Sequence, residues 1–336
     1  MKKELLPQVN QYFKANLHAH TNVSDGKLSP EELKQAYKEK GYQIVAYTDH
    51  NLCLPHPELN DGEFLALTAW EMDASEDAPK FYRKTYHLNF IAKDPANRWQ
   101  IYHPKYMRGN LANYDGPVVC DGQEEREYSV AYINSVIARA NEKGFLVTYN
   151  HPVWSLQDYT DYAQLKGLWG TEVFNSECYQ QGYFDNSANA YQDLLKKGNR
   201  LVPLATDDVH GLGRAFGGWV MVGAEALSYE AVIAALEKGD LYATTGPDIY
   251  SVTLEDNTLT VKCSDAAYVN LITNGRMCKA VRAKEGPALN EAVFDLTRFF
   301  EEEPETHSDD DFLRITVVDE QGKTAYTRAF FRDELV

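Results

Sequence analysis

Seven short apolar runs, most of them separated by amphipathic stretches, pattern the first two thirds of the chain. The first leads into Asn16-Leu17-His18-Ala19-His20-Thr21. Ser29-Pro30-Glu31-Glu32 then reads as a helix start, with a serine cap, proline at the first helical position and a glutamate placed to close a capping box. Leu33, Ala36 and Tyr37 give that helix an apolar stripe, and Gly41 stops it. Residues 42–47 follow as a buried strand that runs into Thr48-Asp49-His50-Asn51. A strand, a helix and a strand within about thirty residues make a parallel crossover.

The pattern recurs. Residues 64–69 read as a strand running into Trp70-Glu71-Met72-Asp73, and residues 86–92 as another carrying His87. Residues 145–149 lead to Asn150-His151-Pro152, 170–174 to Asn175, and 201–205 to Thr206-Asp207-Asp208-Val209-His210. Helices are predicted over 130–143, 188–197 and 229–238, each followed by glycine. The segment 94–127 is irregular and rich in aromatics, and is expected to cover one end of the fold. Because the polar residues gather at strand C-termini, the expected architecture is an α/β, distorted seven-stranded (β/α)7 barrel over about residues 10–225, with its site on that face. Beyond Thr244-Thr245-Gly246-Pro247 the runs become short and alternating, with turn signals at Asp256-Asn257, Asn274-Gly275 and Gln321-Gly322. The expected division is therefore a barrel over 1–246 and a small antiparallel β-sandwich over 247–336. The acidic run 301–311 reads as a solvated loop.

Composition narrows the function classes. Of 336 residues, 44% are hydrophobic and 25% charged, as in ordinary globular proteins. No run approaches the length of a membrane span, and the first residues lack a secretory signal. A net charge of −17 argues against long nucleic acid as a partner. Five scattered cysteines without a Cys-x-x-Cys read as reduced thiols, which points to a cytoplasmic location. Cys53 is the one near the site residues, and it reads as structural.

The candidate chemistry lies in the histidines. His18 and His20 point to one side of an extended segment, and Asp25 follows on a turn close enough to fold back over them. His50, His87, His151 and His210 join them at strand ends, with Glu71 and Asp208. Nitrogen and oxygen donors in this number, without a thiolate, suffice for two or three divalent metal ions, with Mn, Fe and Zn all compatible. Acid–base catalysis without metal needs only one or two such groups.

The ordered series His-x-His, Thr-Asp-His-Asn, a strand-end Glu, Asn-His-Pro and Asp-x-His resembles the polymerase-and-histidinol-phosphatase (PHP) family. That resemblance implies a distorted seven-stranded barrel, a trinuclear metal centre and phosphoester hydrolysis. It places His18, His20, Glu71 and Asp208 on one metal, Asp25, His50 and His210 on a second, and Glu71, His87 and His151 on the third. Many members carry histidine where this chain has Asp25, which still offers an oxygen ligand. Asp49 and Asp207 adjoin ligands and are expected to orient them. The Tyr-Ala-Thr-Thr-Gly-Pro junction and the sandwich after it resemble the branch with carbaryl-hydrolase-like proteins.

The expected function is metal-dependent hydrolysis of a small phosphoester by a metal-bridging hydroxide, with Asp208 and His210 as catalytic residues. Arg214, Lys84 and Arg108 are the candidate phosphate-binding cations, and Trp154 is either a pocket wall or a core residue. Two alternatives stand beside this: a carboxylic ester, carbamate or amide hydrolase using the same metals, and a non-catalytic binding protein docking through its sandwich.

Overall fold

The computed structural model describes residues 2–7, 12–183, 188–284, 288–301 and 307–336. The strands of the first two thirds are β1 (Lys2–Glu4), β2 (Phe13–Asn16), β3 (Ile44–Tyr47), β4 (Leu65–Ser75), β5 (Thr85–Ala92), β6 (Phe145–Tyr149), β7 (Gly170–Asn175), β8 (Val202–Thr206), β9 (Trp219–Val222) and β10 (Leu241–Thr244). The longer helices are α1 (Pro30–Lys38), α2 (Val130–Glu142), α3 (Ala188–Lys196) and α4 (Tyr229–Lys238). In α1 the Ser29 hydroxyl accepts from Glu32 N while the Glu32 carboxylate accepts from Ser29 N, which closes the expected box. Leu33 and Tyr37 are fully buried against Tyr42, Val45 and Tyr47, each contributing about 1.5–3 kcal/mol.

The expected (β/α)7 barrel is corrected by the strand directions. β2, β3 and the first half of β4 are parallel, as are β6, β7 and β8. Between the two sets, β5 runs antiparallel to both β4 and β6. The physical reason is connection length: residues 76–84 suffice for a hairpin but not for the dozen or more residues of a parallel crossover. β4 accordingly changes partner halfway, pairing with β3 over 65–68 and with β5 over 69–75. β9 lies antiparallel to β2. Among the described residues no ladder closes β8 onto β2. Their continuations meet at an isolated parallel bridge, Ala19 with Val209, reinforced by Asp208 N donating to His18 O (3.0 Å) and His20 N to Val209 O (3.0 Å).

The remaining strands are β11 (Ile249–Glu255), β12 (Thr258–Ala266), β13 (Tyr268–Thr273), β14 (Lys279–Arg282), β15 (Leu289–Asp295), β16 (Phe312–Val318), β17 (Thr324–Thr327) and β18 (Phe330–Phe331). They form two layers. One is a four-stranded sheet, β1-β11-β12-β15. The other continues the large sheet through β10 into β17, β16, β13 and β14. The apolar core between them takes Leu6 and Tyr242 from the first two thirds together with Val252, Val261, Phe294 and Ile315. Part of the acidic run, residues 302–306, lies outside the described residues. Among the described residues no helix is long and apolar enough to cross a membrane, and the five cysteines are free thiols.

Candidate metal centre

Most of the candidate side chains are placed by strand ends, with Glu71 and His87 inside their strands. His18 and His20 follow β2, His50 follows β3, Glu71 sits in β4 beyond its switch of partner, His87 is in β5, His151 follows β6, and Asp208 and His210 follow β8. The turn 21–26 returns Asp25 over His20, held by Asp49, whose carboxylate accepts from Thr21 N (2.8 Å), Thr21 Oγ1 (2.7 Å) and Ser24 Oγ (2.6 Å). Gly26 in this turn admits no side chain, since a Cβ there would meet the His20 carbonyl oxygen at 2.4 Å. His151 and Asp208 both adopt positive φ, 26° and 53°, a cost that surrounding contacts must hold in place.

The result is one nest of donors. Four overlapping groups place their ligand atoms within 4.8 Å of one another: His20, Asp25, His50 and His210; His18, His151 and Asp208; His18, His20 and Glu71; and His50, Glu71 and His87. All nine expected ligands are among them. Glu71 lies at the centre, 3.3 Å from His18 Nε2, 3.3 Å from His20 Nε2, 3.2 Å from His50 Nδ1 and 3.0 Å from His87 Nδ1. The His18 and His20 Nε2 atoms are only 3.1 Å apart. Within the nest His20 Nδ1, His50 Nδ1 and Glu71 Oε2 are buried without a hydrogen-bond partner. Buried polar atoms are rarely left unpaired, so this donor set fits divalent cations bound between them.

The groups behind the nest fix its tautomers. His18 Nδ1 donates to Glu172 Oε1 (2.7 Å), which turns the Nε2 lone pair toward Glu71 and Asp208. His210 Nδ1 donates to the Asp208 carbonyl (2.9 Å), leaving Nε2 facing Asp25 at 3.5 Å. Asn150 Nδ2 donates to Glu71 Oε1 (3.1 Å), and Asn175 Nδ2 to Asp208 Oδ2 (3.2 Å) and Glu172 Oε2 (3.0 Å). Asp207 turns away from the nest and accepts from Tyr37 OH (2.7 Å) and Gly217 N (2.9 Å), burial raising it to about 6 against those bonds. Sequence reasoning missed Glu172. Its one signal is a carboxylate inside the buried run Gly170–Asn175.

Electrostatics follow from crowding. Burial works against a charge on His20, yet the Asp208 and Glu71 carboxylates raise it to about 10, and Glu71 and Asp208 similarly raise His151 to about 9. His50, buried and beside the His20 charge, falls to about 4 despite Glu71. Asp208, although buried, is held well below the usual carboxylate range by His18 and His20.

A cavity of about 360 Å³, lined by Glu71, His151, Asp208 and His210, forms the floor. An adjoining cavity of about 560 Å³ shares Asp25, His50, His87, Trp154 and Gln181 with it. Trp154 is thus a wall, packed edge-on against His87 and His151 with centroids 5.4 and 5.3 Å away. Of the three expected phosphate-binding cations, Arg108 lines the outer cavity, one nitrogen 3.1 Å from Asp73 Oδ2. Arg214 pairs with Glu177, and Lys84 bonds Asp158 (3.0 Å) and Asp161 (2.7 Å); neither lines a cavity described here. Lys80 and Arg83, which sequence reasoning passed over, do line the outer one.

Residues 16–165 match the family model for the PHP domain. Among solved structures, a two-domain protein from Bacteroides vulgatus, described as containing a predicted PHP-like metal-dependent phosphoesterase, is similar at 14% identity over 98% of each chain, with a TM-score of 0.43. An amidohydrolase from Chromobacterium violaceum is 16% identical over 59% of this chain and 88% of its own (TM-score 0.37). A lesion-specific endonuclease from Pyrococcus furiosus is 15% identical over 68% of this chain and 56% of its own (TM-score 0.40). Comparison with curated proteins gave no match.

Proposed function

We propose that this chain, whose residues 16–165 match the PHP-domain model, hydrolyses a small phosphoester with the help of two or three divalent metal ions held by His18, His20, Asp25, His50, Glu71, His87, His151, Asp208 and His210. The observation that carries the reading is the nest itself, in which His20 Nδ1, His50 Nδ1 and Glu71 Oε2 are buried and make no hydrogen bond. Bound there, such ions supply Lewis-acid activation of water and neutralise phosphoryl charge. Glu71, in contact with five of the histidines, is the carboxylate suited to be shared between ions. Asp208 stays ionised and keeps one oxygen engaged by Asn175, so it serves as ligand and proton acceptor. His210, part-exposed and bonded through Nδ1, is the group suited to hand a proton out to solvent. Trp154 shields the inner cavity from water. Residues 1–246 are proposed to bear the chemistry, with 247–336 as the sandwich that braces them.

Lys80, Arg83 and Arg108 on the outer cavity favour an anionic substrate. The apolar groups there, Phe81, Leu111 and Leu156, favour the second reading, a carboxylic ester, carbamate or amide. The test is to count metals per purified chain and assay p-nitrophenyl phosphate beside a p-nitrophenyl carboxylic ester. Two or three metals are expected, with phosphatase activity that falls in His151→Ala by more than the roughly 10- to 100-fold typical of losing an outer partner. Ester turnover without phosphate turnover would establish the second reading, and a chain that binds no metal would overturn both.

A further inference from the structure

The tip between β4 and β5 is unexplained by the fold. It carries Lys80-Phe81-Tyr82-Arg83 on a single 3-10 turn, closed by Tyr82 N donating to Pro79 O (2.8 Å). Phe81 is 87% exposed, although a hairpin tip needs no large apolar residue. Phe81 nevertheless lines the outer cavity, as do Lys80 and Arg83 on either side of it. Among the described residues neither cation forms an ion pair. Arg83 donates Nε to its own hairpin, at Ala78 O (2.9 Å), which fixes the direction of its guanidinium. Two such cations beside an exposed ring stand out in a chain with 50 Asp and Glu against 33 Lys and Arg. Positive charge flanking an aromatic face at the mouth of a cavity is a recognition surface for a flat apolar body that bears negative charge. Lys80, Phe81 and Arg83 line the outer cavity but not the inner one that holds Glu71, His151, Asp208 and His210, so an anion met at the tip is additional to a phosphate held on that floor.

We propose that the β4–β5 tip selects the leaving group, and that this group is an aromatic alcohol carrying a second acidic substituent. This rests on the phosphoesterase reading. The reacting phosphate occupies the nest, the ring lies in the outer cavity against Phe81 and beside Trp154, and the second acid meets Lys80 and Arg83. Hydrolysis transfers the phosphoryl group to water and releases the aromatic alcohol, with no further reactant.

The measurement is KM and kcat for phenyl phosphate and 4-carboxyphenyl phosphate, whose phosphorus chemistry is closely alike. The wild-type protein is expected to show a KM about tenfold lower for the carboxylated ester, the worth of one charge-assisted contact. The double variant Lys80→Ala/Arg83→Ala removes that preference, bringing the two KM values together, and Phe81→Ala raises KM for both esters about fivefold. All three positions are exposed, so folding is not at stake. Equal KM values for the two esters, or no effect of Phe81→Ala, would overturn the proposal while leaving the hydrolase reading intact. Calorimetric binding of 4-carboxybenzylphosphonate supplies a readout without turnover. Binding that follows the same substitutions in a protein that hydrolyses no phosphoester would support the selecting surface and overturn the hydrolase reading instead.

Discussion

The Glu172 carboxylate decides which nitrogen His18 presents to its neighbours, because it takes the Nδ1 proton at 2.7 Å. Glu172→Gln keeps the shape but gives up the charge that makes the ring basic, so metal affinity is expected to fall about 10- to 100-fold. Competition with a chromophoric chelator measures it, and unchanged affinity would assign Glu172 to packing alone. The raised histidines give a second expectation. At pH 8, below about 10 for His20 and about 9 for His151, both rings carry protons in the metal-free protein, whereas a ligand must be neutral. Adding a divalent cation at pH 8 therefore releases protons, which an indicator dye in weak buffer reports; the release shrinks as pH rises through 9 to 10. At this scale the sequence was most informative, since histidine spacing on extended segments depends on geometry that every strand shares. All nine expected donors meet. Glu172 escaped because a carboxylate within Gly170–Asn175 looks like any strand residue until the element behind it is known.

At the scale of elements, the segment 94–127 does more than cover the fold. It delivers Arg126, whose buried guanidinium bonds Asn51 Oδ1, Asp73 O (2.9 Å) and Asp73 Oδ1 (3.3 Å) while its plane lies over the Tyr106 ring at 4.2 Å. Asn51 follows His50 and Asp73 follows Glu71 by two, so one arginine ties together the ends of β3 and β4 that carry the nest. Arg126→Met strips Asp73 of its buried partner and is expected to cost about 3–5 kcal/mol in urea unfolding. Arg108→Ala, which removes an exposed partner of the same carboxylate, should cost under about 1 kcal/mol. The long helices and most strands of the first two thirds were legible to within a residue or two because burial and capping are local, although the run 64–69 continues to Ser75 in β4. Strand direction was not. The run 86–92 has the same composition whether parallel or antiparallel, and only the shortness of residues 76–84 distinguishes them. β15, with its alternating Leu-Asn-Glu-Ala-Val-Phe-Asp, was also missed, since half its side chains face solvent.

Over the whole molecule, the division near residue 246 cuts a sheet that the folded chain keeps continuous, β10 pairing with β9 on one side and β17 on the other. A separately expressed 247–336 would lose β1, β10, Leu6 and Tyr242 from its layers, and is expected to lack a cooperative thermal transition by circular dichroism. The intact protein should melt once, at a temperature that rises when metal is added. β1 also sets an order of events. Lys2–Glu4 pairs with Thr253–Glu255, so β1 must wait for some 250 further residues to emerge before it finds its partner. Contacts of such separation form late and slow the search for the native state. The four-stranded sheet is thus a clasp that shuts late, and a ribosome-bound chain stalled before residue 249 holds β1 unpaired.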